Sequence, residues 1–299
     1  MQLGAAVHDT RRSLAAGAAL LRYFNLGAGA GPGLAALRAQ FTAALAPDSG
    51  VPLDQAAGLY WEFRDLAPAG AEGDLLVSRL ADRLEAASLY GRAAELLQYQ
   101  LSARAQDITQ GPLSVRVAGL FILAGRPDRA LAALRDTAAT PYAQAVTWDR
   151  QRVEAAALHL LGRTDEALAA VEDVPGGNRI RAEIYWRRRD WTSLVATDAA
   201  DLPAAGPLDA VEQTIVLRHA IGLAMLGRED ALRRLRARFG ASFAALPTGP
   251  AFDLLTHTVG TVDPAALGKA MAALPAASPA GSIGDLLDAD AGTATLSGA

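Results

Sequence analysis

Apolar residues recur along this chain at helical spacing almost from end to end, and no stretch shows the sustained two-residue alternation of a half-buried strand. The pattern predicts an amphipathic helix over about 5–25, built on LAAGAALL (14–21). GAGAGPG (27–33), with four glycines and a proline, predicts a linker. A second helix is expected over about 33–46. PDSGVP (47–52) breaks the pattern, and a helix over 53–66 follows, with Leu59, Tyr60 and Phe63 on one side. After PAGAEG (68–73) comes a longer helix to about 88. At the far end VEQTIVLRHAIGLAML (211–226) and EDALRRLRARF (229–239) read as a helix pair, and short helices near 250–258 and 263–274 as a cap. From Pro275 the chain is mostly Ala, Gly, Ser and Asp. That composition predicts disorder, with Ile283, Leu286 and Leu287 the only anchors.

Between these ends one phrase repeats. LAGRPDRALAALRD (123–136) and LLGRTDEALAAVED (160–173) are nearly the same sentence. Aligning the small residue of each phrase marks Ala94, Ala130, Ala167, Leu194 and Ala231, at spacings of 36, 37, 27 and 37. Periods in the thirties with two helices per unit mark stacked helical hairpins, because one hairpin cannot bury its own apolar face and a neighbour can. The glycine suits the left-handed residue that ends a first helix. Asp128 or Thr164 is placed to cap or lead the second, and Pro127 suits its first turn. The aligned alanine lies where the two helices meet.

GRPDRAL and GRTDEAL resemble the turn and second helix of a tetratricopeptide repeat, with Ala118, Ala155 and Ala182 matching that family's small first-helix residue and Trp191 its aromatic turn position. LYWEFRDLAPAG and its continuation (59–100), LFILAGRPDRALAALRDT (120–137) and IRAEIYWRRRDW (180–191) further resemble the C-terminal portion of long tetratricopeptide-repeat proteins of alphaproteobacteria, over roughly 55–260. The resemblance implies an all-α chain: a helical-hairpin α-solenoid of degenerate repeats over 34–274. An N-terminal helix (1–26), a linker (27–33) and a disordered tail (275–299) complete the expected organisation. It also implies a concave groove lined by first helices. Carried over from Ala94, the groove positions are Arg79 and Arg83. From Ala167 they are Asp149, Arg152 and His159, and from Leu194 they are Arg179, Glu183 and Trp186. The set is mainly basic with one aromatic, and suits an acidic peptide or a free carboxylate. Read without the family, the same residues are ordinary half-exposed helix positions. The second hairpin offers Val115, Ile122 and Leu123 instead, so part of the groove is expected to be filled by the protein itself.

Composition adds limits. Of 28 cations only Lys269 is a lysine, the net charge is −4, and the acidic balance argues against nucleic acid as the main partner. The absence of cysteine excludes disulfides, thiolate nucleophiles and Cys-ligated zinc. No run is long and apolar enough for a membrane span. Arg11 and Arg12 precede LAAGAALL, but Arg22 follows without a small-residue cleavage pattern, so a signal peptide is not expected. The compartment stays open: the cytoplasm on this chain alone, the periplasm or cell envelope if it belongs to a longer exported protein.

Candidate chemistry is sparse. His8, His159, His219 and His257 are mutually remote, and no metal site is expected. No G-x-S-x-G elbow appears, and GAGAGPG lacks the preceding strand and following Lys-Ser/Thr of a phosphate loop. Arg187–Arg189 and the helix bearing Arg233, Arg234, Arg236 and Arg238 are the strongest charge clusters. The sequence therefore points to a non-enzymatic interaction scaffold without cofactor, binding a protein or peptide on its concave face, with self-association as a further option. The alternatives are a structural C-terminal domain of a longer envelope protein and, behind it, a phosphate or nucleic-acid binder using the Arg-rich helix.

Overall fold

The computed structural model describes residues 9–23, 30–103, 105, 107–257 and 264–288. Among them every regular element is helical, and the chain divides into two compact units, Met1–Leu120 and Phe121–Ala299. The first unit contains α1 (Thr10–Tyr23), α2 (Ala30–Leu45), α3 (Leu53–Phe63), α4 (Ala71–Ala86) and α5 (Tyr90–Ala103); α6 (Gln110–Leu123) contains the point of division. The second contains α7 (Pro127–Asp136), α8 (Gln144–Leu160), α9 (Thr164–Ala170), α10 (Gly177–Arg188), α11 (Trp191–Asp201), α12 (Ala210–Met225), α13 (Glu229–Phe243), α14 (Gly249–Thr256), α15 (Pro264–Ala272) and α16 (Ser282–Leu287).

Neighbours in sequence pack as neighbours in space. In the first unit α1 lies on α2, and α4 on α5. Phe41, Tyr60, Trp61 and Tyr99 form a chain of ring contacts there, and Phe41 and Tyr60 are fully buried. In the second unit α8 pairs with α9, α10 with α11, and α12 with α13, while α8 also meets α10 and α11 meets α12. Phe243 and Phe252 stack at 4.3 Å in a core shared by α12, α13 and α14. The aligned small residues explain these close approaches. Ala94, Ala130, Ala167 and Leu194 are fully buried, as are Ala118 and Ala155, and only Ala231 is half-exposed.

One turn joins the helices of five successive phrases. The positive-φ residues of these turns are Ser88, Gly125, Gly162, Arg189 and Gly227. In each case the next amide closes back on the carbonyl five residues earlier: Leu89 on Leu84, Arg126 on Phe121, Arg163 on Leu158, Asp190 on Tyr185 and Arg228 on Leu223, all at 2.8–2.9 Å. This satisfies carbonyls that a helix end would otherwise leave unpaired. Asp190 caps α11 by accepting from the Ser193 amide at 3.1 Å. Asp128 and Thr164 lead their helices from within the first turn, and neither makes a side-chain cap. Two of the five turns hold the left-handed residue without glycine. A non-glycine residue there costs about 1 kcal/mol, so Arg189→Gly is expected to raise the urea midpoint, and Gly162→Ala to lower it. Equal midpoints for native and Arg189→Gly would show that this turn carries no strain.

Two boundaries differ from the sequence reading. Ala30–Gly33, expected within a linker, form the first turn of α2, where proline needs no donor and glycine is tolerated. The remainder of that linker, 27–29, lies outside the described residues, as do 1–8. Within the expected tail the structure describes residues 275–288, where α16 is helical and packs against α8 and α10. Ile283, Leu286 and Leu287 are buried. At i, i+3 and i+4 they form one apolar stripe, which composition averaged over the segment conceals. Residues 289–299 lie outside the described residues.

Candidate partner-binding face

The expected groove residues fall in both units. On α4, Arg79 is exposed. Arg83 is half-buried and donates to the Leu45 carbonyl at 2.9 Å, tying α4 to the end of α2. On the same helix Ser78, Asp82 and Glu85 receive Arg116 of α6 at 3.2, 2.5 and 3.0 Å. Arg83 thus serves packing in the first unit, and Arg79 is the candidate there that stays at the surface.

Six candidates belong to the second unit, on α8 and α10. Arg152 pairs with Asp149 one turn away and donates to the Pro175 carbonyl at 3.2 Å. His159 Nδ1 lies 3.1 Å from the Thr164 hydroxyl, which links the two helices of its hairpin. Arg179 is exposed. Glu183 departs most from the expectation of a half-exposed position: it is 1% exposed. Arg187, one turn along α10, donates Nε to its Oε1 at 2.9 Å, and Arg218 of α12 binds its other oxygen. Trp186 lies beneath the Arg218 guanidinium, 4.9 Å from ring centre, with Trp191 edge-on at 5.7 Å.

The cluster extends beyond the expected set. Arg187 donates Nη1 to Asp288 at 2.5 Å and Nη2 to the Gly284 carbonyl at 3.2 Å, drawing in the segment that carries α16. Asp198 of α11 is buried with Oδ2 unpartnered. Burial above all, with Asp201 and Glu183 adding to it, pushes its carboxyl up to about 7 against the opposing pull of Arg218. His219, next to Arg218, is buried with Nδ1 unpartnered, and burial lowers it to about 4. A charge inside an apolar run is the sequence signal for such groups. Arg218-His219 sits within TIVLRHAIGLAM and Asp198 within SLVATDAAD, and a buried charge requires a partner.

Two small clefts lie at this cluster. One, bounded by Arg179, Asp198 and Arg218, is also lined by Pro279 and is nearly filled. The other, about 350 Å³, joins Glu183, Trp186 and Arg187 to Met271 and Asp288. In the first unit a wider cleft of about 1120 Å³ lies beside α1 and α3, with polar walls that include Gln40, Gln55 and Glu62. Arg11 and Glu62 neutralise one another there at 2.7 Å, and Gln40 donates to Ser13 at 2.8 Å. Among the described residues no group of three His, Asp or Glu side chains is placed to hold a metal ion, and no helix is long and apolar enough to cross a membrane. His257 is exposed, and His8 lies outside the described residues.

The Arg-rich helix α13 keeps Arg233, Arg234 and Arg238 exposed and Arg236 half-buried. Arg233 pairs with Asp230, Arg236 donates to Asp253 and Thr256 at 2.9 and 3.1 Å, and Arg238 to the Pro203 carbonyl at 2.5 Å. Comparison with protein-family models, with curated proteins and with solved structures gives no match.

Proposed function

We propose that this chain is a non-enzymatic interaction scaffold: a degenerate tetratricopeptide-like α-solenoid that holds a peptide or protein on the face made by the first helices of its hairpins. The observation that carries this reading is the turn repeated at Ser88, Gly125, Gly162, Arg189 and Gly227 with one hydrogen-bond closure. A chain that reuses one hairpin gains an extended face from repetition and needs no pocket. The basic side chains Arg79, Arg152 and Arg179 favour an acidic partner, since arginine binds carboxylates bidentately. Trp186, already stacked under Arg218, offers an apolar anchor on α10 in the second unit.

The test is affinity capture with the tagged full chain, beside Arg79→Glu and Arg179→Glu. Both arginines are exposed, so the helical circular dichroism is expected to be unchanged. A protein held by the native chain, and reduced about tenfold by either reversal, supports the scaffold. Identical recovery by all three forms sinks the basic-face reading.

A further inference from the structure

We infer that the face formed by α8 and α10 is a binding site for a short amphipathic helix, apolar at i, i+3 and i+4 and followed by a carboxylate, and that residues 275–288 are its resident, displaceable ligand. This rests on the scaffold reading above and names the class of partner.

The seated segment shows what the site recognises. Ile283, Leu286 and Leu287 are buried as one stripe against α8 and α10. The Arg187 guanidinium receives the backbone carbonyl of Gly284 and the side chain of Asp288 together. Buried Glu183 holds the same guanidinium from behind, so the recognising group is positioned before any ligand arrives. One recognition element is a backbone carbonyl and the other a carboxylate, so any helix with this stripe and a terminal acid satisfies both. The arrangement is that of an amphipathic helix laid in a groove.

The resident segment is poised to leave. α16 spans Ser282–Leu287, far below the length at which a helix holds itself together in water. It exists because it is seated. Its link to α15 passes through Pro275, Pro279 and Gly281 and contains no helix. The Asp288 side chain is 65% exposed, so the ionic end of the site is open to a competitor from solution.

The experiment uses the full chain with a protease site inserted within 275–280, cut after folding so that the scaffold never folds without its tail. A fluorescent peptide with the sequence of residues 278–288 is titrated and followed by anisotropy. The cut chain is expected to bind it about tenfold or more tightly than the uncut chain, and Arg187→Glu to remove most of that gain. An uncut full chain carrying Leu286→Asp and Leu287→Asp, which unseats the tail without cleavage, should show the same gain. Equal or absent binding by cut and uncut chains that keep their helical circular dichroism overturns the inference. So does binding indifferent to Arg187→Glu, or binding that occurs only with dimerisation in sedimentation, which would make a second copy the occupant. If the peptide fails while Arg179→Glu still reduces capture of a partner about tenfold, the scaffold reading stands and only this ligand class falls.

Discussion

Glu183→Ala lowers the unfolding free energy of the second unit by about 3–5 kcal/mol. The carboxylate is buried, and it is the shared acceptor of Arg187 and Arg218, which are themselves 24% and 13% exposed. Removing it leaves Arg218, 13% exposed, without its ion partner, and Arg187 held by Asp288 alone among carboxylates. The cost is that of the cation left under-compensated, which exceeds the net worth of the pair. Arg218 also covers Trp186 and counters Asp198, so its displacement spreads to both. Two companion variants separate this cause from simple loss of packing. Glu183→Gln keeps the shape and loses the charge, and is expected to recover only part of the loss. Glu183→Leu combined with Arg218→Met removes both members of one pair, and is expected to cost less than Glu183→Ala alone. Urea denaturation followed at 222 nm measures all three. A Glu183→Ala cost below about 1 kcal/mol, the value for a surface pair, would show that the cluster contributes little.

The same cluster marks where sequence reasoning stops. The repeat was legible wherever glycine announced the turn, at Gly125, Gly162 and Gly227. Ser88 and Arg189 adopt the same backbone without that signal, because the flanking helices impose it. Glycine and proline at 31–33 argued against a helix, and did so correctly for a helix interior; at a first turn the objection lapses. The tail misled for a related reason. Composition averages over a segment, whereas seating needs only three apolar side chains in one stripe and a surface to receive them. Among the candidate groove residues, the expected register could not say which charges the chain neutralises itself. Glu183 takes one arginine from the next turn and another from 35 positions on, and no local pattern announces the second. Arg79 and Arg179 lie at the surface.

Asp198→Asn makes the protein more stable above neutral pH, by about 2–4 kcal/mol, and turns a nearly flat acid-side pH profile into a rising one. Asp198 is an acid raised by burial from 3.8 to about 7 in the folded chain. Between roughly pH 4 and 7 the folded state keeps a proton that the unfolded state has released, so stability falls as pH rises through that window and stays low above it. His219 acts in the opposite sense. Burial lowers it from 6.5 to about 4, so the unfolded state takes up a proton first, and stability is lost as pH falls from about 6.5 to about 4. Over pH 4–6.5 the two slopes oppose, at about 1.4 kcal/mol per pH unit each, and the native chain is expected to show a nearly flat profile. Removing either group exposes the other. Asp198→Asn should gain stability steadily from pH 4.5 to 6.5, while His219→Leu should lose it over the same range. Urea unfolding at pH 4.5, 5.5, 6.5 and 8 reads both. Three parallel curves would mean that neither group changes protonation on folding, and that water reaches Asp198 Oδ2 and His219 Nδ1 in the folded chain.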